Sequence, residues 1–111
     1  MSIDAAVTKI LQSLVPGEAP LMESLVRMHA DAQERSGLDD RTYVMVRLAA
    51  LVASDASSAS YLVNLTVAEE VGITADDVRG VLIALAPLVG SARVLSGADK
   101  ALQAIAASRQ M

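Results

Sequence analysis

The sequence contains no cysteine, tryptophan or phenylalanine, and its aromatic content is limited to two tyrosines and one histidine. Without cysteine the chain can form no disulfide, no thiolate metal site and no thiol redox centre. With a single histidine, a zinc site would have to consist mainly of carboxylates, which is an uncommon arrangement. We therefore expect neither a metal ion nor any other cofactor.

Positive charge is also scarce. Nine Lys and Arg residues face thirteen Asp and Glu residues, which gives a net charge of -4 and a pI near 4.7. This balance opposes the attraction to phosphate on which nucleic-acid binding depends. Two tyrosines also leave little surface on which bases could stack. We expect no nucleic-acid partner.

Long apolar runs are missing as well. No segment approaches the roughly 18 uninterrupted apolar residues of a membrane span. The stretch 1–20, "MSIDAAVTKILQSLVPGEAP", has an early aspartate and only a short apolar run, which makes it a poor match to a signal peptide. The sequence predicts a cytoplasmic protein with no membrane association.

The residues that are abundant are small and apolar. Of 111 residues, 53% are hydrophobic, and many of these are alanines, which favour helix and allow helices to approach closely. The length fits a single domain over 1–111 with one modest core. Because so small a core cannot bury all of this apolar surface, we expect a homo-oligomer.

Apolar residues recur with helical spacing, and no segment alternates with the period of a strand. Gly37 and Gly72 are placed to end helices, and "TADD" at 74–77 resembles a capping box. Pro87 predicts a bend or an early end in "VLIALAPLV", whose apolar residues on all sides predict a helix surrounded by protein. The fold class is therefore all-α, with about six helices, predicted over residues 2–14, 18–36, 39–53, 56–71, 74–88 and from 91 to near the end of the chain.

One polar stretch, "SDASSASYLVNL" at 54–65, interrupts this pattern. Four of its residues are spaced at i, i+3, i+4 and i+7 and so share one face of a helix, namely Ser57, Ser60, Tyr61 and Asn64. Such a stripe can be a solvated face, a surface for close helix packing, or part of a functional site.

Two further stretches carry a resemblance to a known family. "LDDRTYVMVRLAALVA" begins at residue 38, and "AEEVGITADDVRGVLIALAPLVGSARVLSGADKAL" begins at residue 68. In their order and spacing they resemble the carboxymuconolactone decarboxylase family, which includes alkylhydroperoxidase D-like proteins. The resemblance covers about 38–105 and leaves 1–37 as amino-terminal helices. It implies an all-helical domain built around an antiparallel helix pair and assembled as trimers or hexamers.

The resemblance also gives the polar stretch a meaning. Redox members of the family carry Cys-x-x-Cys-x-x-x-His before the turn glycine, and counting back from Gly72 places Ser57, Ser60 and Asn64 at those positions. The family's upstream Glu falls at Val44 or Met45, and neither of these is acidic. Every reactive group of the family is therefore replaced. Because serine cannot form a disulfide and asparagine cannot accept a proton at neutral pH, the resemblance implies no thiol peroxidase activity.

The polar residues of the stretch 54–65, together with two arginines outside it, define a candidate site. The candidate catalytic residues are Asp55, Tyr61 and Asn64. The candidate substrate-binding residues are Ser57, Ser60, Arg47 and Arg93. No metal-binding residues are predicted.

Each candidate also has a structural interpretation. Asp55 can act as a general base or cap a helix, and Tyr61 can donate into a pocket or lie in an interface. Asn64 suits a carbonyl ligand or a buried structural hydrogen bond. Arg47 and Arg93 can bind a carboxylate or form salt bridges between subunits. His29 is expected to be a partly exposed helix residue, with proton transfer as its alternative role.

Three functions are consistent with this sequence. The first is a cofactor-free lyase, an isomerase or a small-molecule binder with a polar pocket around 57–64. The second is a non-catalytic oligomeric scaffold or a partner of another enzyme. The third, which the replacement of the histidine by Asn64 disfavours, is a lactone decarboxylase.

Overall fold

A computed structural model describes residues 19–108. In this part of the chain there is no strand, and five helices follow one another. They are α1 (Ala19–Ser36), α2 (Asp40–Ala53), α3 (Ser58–Asn64), α4 (Ala75–Val89) and α5 (Ser91–Ser108). The all-α prediction is confirmed. The helix predicted over 2–14 lies outside the described residues.

Side-chain caps fix the beginnings of α2 and α4, as their sequences predict. The Asp39 carboxylate accepts from the Thr42 amide at 2.7 Å. The Thr74 hydroxyl accepts from the Asp77 amide at 3.1 Å, and the Asp77 carboxylate accepts from the Thr74 amide at 2.9 Å. The Thr42 amide holds the pKa of Asp39 below its usual range. The Thr74 amide, followed by Arg41, does the same to the pKa of Asp77.

The helix predicted over 56–71 is much shorter in the structure. It begins at Ser58 and ends at Asn64, and residues 65–72 form turns. The four consecutive residues 65–68 are all buried. A regular helix directs only one face inward, so four successive side chains can reach the core only if the helix ends before them.

The core lies where α2, α4 and α5 meet, and α3 closes it on the side of α5. Its largest fully buried side chains are Tyr61, Leu48, Leu65, Val44, Val52 and Val78. Helix α1 packs against α2 alone among the described helices. No described helix combines the length and hydropathy of a bilayer-spanning segment.

Helix α4 differs from its prediction in two respects. It continues through Pro87 to Val89, so the proline does not end it early. It is also not surrounded by its own chain, because Ile83 is 67% and Leu88 is 81% exposed. The remaining core is too small to cover both faces of α4, and one apolar side is left on the surface.

Gly97 is the point of closest approach between α5 and its neighbours. A Cβ atom at this position would lie 2.8 Å from Cγ2 of Val52 and 3.0 Å from the Tyr61 hydroxyl. We expect Gly97→Ala to lower the free energy of unfolding by about 1 kcal/mol. Overpacking costs about 1–3 kcal/mol and outweighs the gain of about 1 kcal/mol in helix propensity. Urea denaturation measures the change.

Two comparisons isolate the clash. In a Val52→Ala background the same Gly97→Ala substitution should cost less, because the two Val52 methyl groups that it meets are gone and only the Tyr61 hydroxyl at 3.0 Å remains. Gly80→Ala in α4, where no atom lies within 4 Å of the added carbon, should stabilise by about 0.5–1 kcal/mol. If Gly97→Ala stabilises the native protein as Gly80→Ala does, then the predicted clash at Gly97 is contradicted.

Candidate functional site

Arg47 and Asn64 form the polar pair at the centre of the candidate site. Arg47 extends from α2, and its Nε donates to Oδ1 of Asn64 at 2.8 Å. Its Nη2 donates to the same oxygen. The Asn64 side-chain amide in turn donates from Nδ2 to the Ser60 carbonyl oxygen at 2.8 Å. Both ends of the Asn64 side chain are thus used within the protein, and the asparagine fixes the orientation of the guanidinium group.

Tyr43 supports Arg47 from the preceding turn of α2. Its hydroxyl accepts from Nη1 of Arg47 at 2.7 Å and donates to the His29 carbonyl oxygen at 3.3 Å. The guanidinium carbon lies 5.0 Å from the centre of the Tyr43 ring, within the range of a cation–π contact. The imidazole of His29 forms a T-shaped contact with the same ring, with the centroids 5.8 Å apart.

The charge of Arg47 has no acidic partner among residues 19–108. The ion pairs there involve other cations: Arg35, Arg41, Arg79 and Lys100. Arg47 is half-buried, and the hydrogen bonds of its guanidinium group go to the neutral side chains of Asn64 and Tyr43. Since a guanidinium group has more N–H groups than these bonds use, it retains donors for an anion.

Two pockets lie beside this pair. One of about 240 Å³ is lined from α1, α2 and α3 by Leu25, Met28, His29, Ala32, Arg47, Val63 and Asn64. The other, of about 250 Å³, is lined by Arg47, Ala50, Leu51, Ser54 and Asn64. Arg47 and Asn64 border both of them, and neither lining contains a carboxylate.

The two candidate serines, Ser57 and Ser60, lie at the beginning of α3. Ser57 is exposed and caps α3, because its Oγ accepts from the Ser60 amide at 3.2 Å. The two hydroxyl oxygens are also 3.2 Å apart. Neither serine lines the pockets beside Arg47. Ser60 contributes to the site through its backbone carbonyl, which holds Asn64.

Tyr61 and Asp55 lie on the side of α3 that faces α5. Tyr61 is only 1% exposed, and burial, followed by the nearby Asp55 charge, raises its pKa. Asp55 is exposed in a turn with a φ of 50°, 3.8 Å from Nζ of Lys100. The helix cap that was an alternative for Asp55 is wrong, because Ser57 caps α3. The structure therefore does not bring Asp55 and Tyr61 into the pockets that Asn64 lines.

Arg93 lies away from the pair formed by Arg47 and Asn64. Its Nη1 donates to the backbone oxygen of Ala53 at 2.7 Å, where α2 ends. Lys100, also on α5, donates to the backbone oxygen of Ala56 at 2.8 Å and lies 5.9 Å from the centre of the Tyr61 ring. Both cations thus hold the turn between α2 and α3.

The expectation for His29 is wrong, because its side chain is only 8% exposed. It lines the pocket of about 240 Å³ together with Arg47. The sequence gives no signal for this, since burial of His29 depends on how α1 packs against Tyr43 of α2. Tyr43 was also not predicted as a site residue. Its position four residues before Arg47, which places both on one helix face, is a signal that could have identified it.

These features define a class: an all-α protein with a polar pair between α2 and α3, and no thiol near it. Among residues 19–108, no three His, Cys, Asp or Glu side chains are grouped as metal ligands. Residues 19–108 match the model of the carboxymuconolactone decarboxylase family. Since the match spans most of the chain, the protein belongs to this family. Neither a search of curated proteins nor one of solved structures gave a match.

Peroxide reduction is expected to stay at background when the protein is supplied with a dithiol reductant. A thiolate attacks peroxide because it is polarizable and forms near neutral pH, whereas the sequence contains no cysteine and the family resemblance implies that Ser57 and Ser60 replace both thiols. A coupled assay of peroxide consumption checks this. The variant Ser57→Cys/Ser60→Cys/Asn64→His should exceed both the native chain and Ser57→Cys/Ser60→Cys. Robust turnover by the native chain contradicts the argument.

Proposed function

We propose that this protein binds a small organic molecule beside Arg47 and Asn64 and converts it without a cofactor, by a lyase or isomerase reaction. One observation carries the proposal: Arg47 is half-buried, has no acidic partner among the described residues, and borders both pockets. A cation held in place by neutral partners is suited to stabilising negative charge on a bound molecule.

The pocket of about 240 Å³ also contains a side chain, His29, that can transfer a proton. Lyase and isomerase reactions next to a carbonyl group place transient negative charge on an oxygen, and Arg47 can stabilise that charge. His29 lines the same pocket, and histidine is the side chain best suited to proton exchange near neutral pH. The proposal therefore assigns proton transfer to His29 and electrostatic stabilisation to Arg47. Asn64 is a positioning residue, and Asp55 and Tyr61 lie outside the pocket.

Ligand screening by NMR tests the proposal. Molecules from a library of small carbonyl compounds should shift the signals of Met28, Ala50 or Val63, which surround Arg47. The substitution Arg47→Gln should remove these shifts. Arg79→Gln, which makes the same substitution at an exposed arginine of α4 that lines neither pocket, should retain them. If all hits perturb other surfaces, or if no compound binds, the small-molecule proposal is wrong and a scaffold role is favoured.

Self-association is a second proposal, because several large apolar side chains are exposed in the single chain. Two of them lie on α4 and two on α5, and they are Ile83 (67% exposed), Leu88 (81%), Leu95 (71%) and Leu102 (49%). Leu88 and Leu95 flank the turn at Gly90. Burying such side chains between copies contributes about 25 cal/mol per Å². We propose a trimer or hexamer that uses these helices.

The native chain should give the mass of such an oligomer in light scattering at micromolar concentration. Leu88→Lys/Leu95→Lys should shift the mass toward that of a monomer, because charges would have to be buried at the contact. Glu34→Lys changes the net charge by the same amount on the exposed side of α1 and should leave the assembly intact. A monomer mass for the native chain contradicts the proposal.

A further inference from the structure

We infer that the molecule bound beside Arg47 is a small monocarboxylate with an apolar body. Its carboxylate meets the Arg47 guanidinium group, and its body lies in the pocket between α1 and α3. This inference rests on the proposed function and specifies the chemical class of the ligand.

The charge of the ligand follows from the partners of Arg47. Its hydrogen bonds go to Asn64 and Tyr43, which are neutral, and neither pocket is lined by an Asp or Glu side chain. The chain as a whole carries a net charge of -4. Arg47 is thus a positive charge that no described carboxylate neutralises. A carboxylate that fits the planar guanidinium group gains two parallel, charge-assisted hydrogen bonds.

The apolar body follows from the rest of the pocket wall. Apart from Arg47, Asn64 and His29, the pocket between α1 and α3 is lined by Leu25, Met28, Ala32 and Val63. Met28 is 66% exposed and Leu25 is 36% exposed, so a ligand that lies against them removes apolar surface from water. At about 240 Å³ the pocket is smaller than the roughly 300–1,000 Å³ of drug-sized sites, which suits a body the size of a short chain or a single ring.

The same wall disfavours a second charge. A carboxylate at the far end of the ligand would lie against Leu25 and Met28, which cannot pair with it, and His29 is the one described side chain of the lining besides Arg47 that can carry a positive charge. Burial of an unpaired charge is costly. The site should therefore discriminate against dicarboxylates of the same length and against neutral analogues of the same shape.

Calorimetric titration with four probes tests this: hexanoate, hexanamide, acetate and adipate. Hexanoate should bind at least tenfold more tightly than each of the others, since hexanamide lacks the charge, acetate lacks the body and adipate carries a second charge. In Met28→Gln the affinity for hexanoate should fall severalfold, while that for acetate stays the same. Arg79→Gln, at an exposed arginine of α4 that lines neither pocket, serves as the control and should bind all four probes as the native protein does.

Two variants probe the cation. Arg47→Gln should bind hexanoate and hexanamide equally. Should this variant fail to fold, Asn64→Asp provides the same test, because its carboxylate neutralises Arg47 while still accepting its hydrogen bonds. It too should lose at least tenfold in hexanoate affinity. Retention of native hexanoate affinity by Asn64→Asp would overturn the inference.

The outcomes separate the inference from the proposed function. If hexanamide binds the native protein as tightly as hexanoate, or if only neutral library compounds bind beside Arg47, the monocarboxylate is wrong and the small-molecule site stands. If neither the four probes nor any library compound perturbs the residues around Arg47, the proposed function fails together with the inference.

Discussion

Replacing Asn64 by leucine is expected to lower the free energy of unfolding by about 2–4 kcal/mol. The leucine side chain fills the space but removes the oxygen that accepts from Nε and Nη2 of Arg47. It also leaves the Ser60 carbonyl without its amide donor. A half-buried cation that loses its acceptor costs more than a neutral group does. Thermal and urea denaturation measure the loss.

Two other substitutions at this position make the result interpretable. Asn64→Ala should cost less, about 1–3 kcal/mol, because it leaves room for water to reach Arg47. Asn64→Asp also loses the amide donor to the Ser60 carbonyl, but its carboxylate pairs with Arg47, so the variant should remain within about 1 kcal/mol of the native protein. If the leucine variant is as stable as the native chain, the contact between Asn64 and Arg47 does not hold the site together.

The second large effect is expected at Tyr61. Because Tyr61 is 1% exposed and belongs to the buried core, Tyr61→Ala should cost about 3–5 kcal/mol, as truncation of a buried aromatic side chain generally does. Tyr61→Phe keeps the ring and should change the stability by less than about 1 kcal/mol. Urea denaturation of both variants separates the contribution of the ring to the free energy of unfolding from that of the hydroxyl.

The pH dependence of stability adds a second readout for Tyr61. Burial raises its pKa, so the folded state favours the neutral phenol. The stability this provides is complete below the ordinary tyrosine pKa of about 10 and is lost as the pH rises through the higher folded value. Tyr61→Phe should therefore lose less stability than the native chain in alkaline solution. If Tyr61→Phe instead abolishes ligand turnover at neutral pH, the hydroxyl acts in catalysis.

Local signals in the sequence predict the helix starts well and the site only in part. The caps at Asp39 and Thr74 involve residues three positions apart, so a short stretch contains all the information. The spacing of the polar stretch grouped Tyr61 with Asn64. In the structure Tyr61 faces α5 and Asn64 faces α2, because both helices pack against the short α3.

The parts of the site that sequence reasoning missed depend on distant contacts. Arg47 and Asn64 are 17 residues apart, and neither residue's own neighbourhood reveals the other. His29 enters the pocket because α1 packs against Tyr43. The resemblance to the family singled out Asn64, which in the structure borders both pockets. It gave no indication that an arginine, rather than the family's acid, would face that position.

The contacts that Arg93 and Lys100 make with backbone oxygens have a consequence for how this protein can change over evolutionary time. Both side chains come from α5 and hold Ala53 and Ala56, which lie between the helix that carries Arg47 and the helix that carries Asn64. The distance between Arg47 and Asn64 therefore depends on α5, a helix that contributes no residue to either pocket lining. Ligand preference could therefore drift through substitutions on α5 while every pocket residue stays the same.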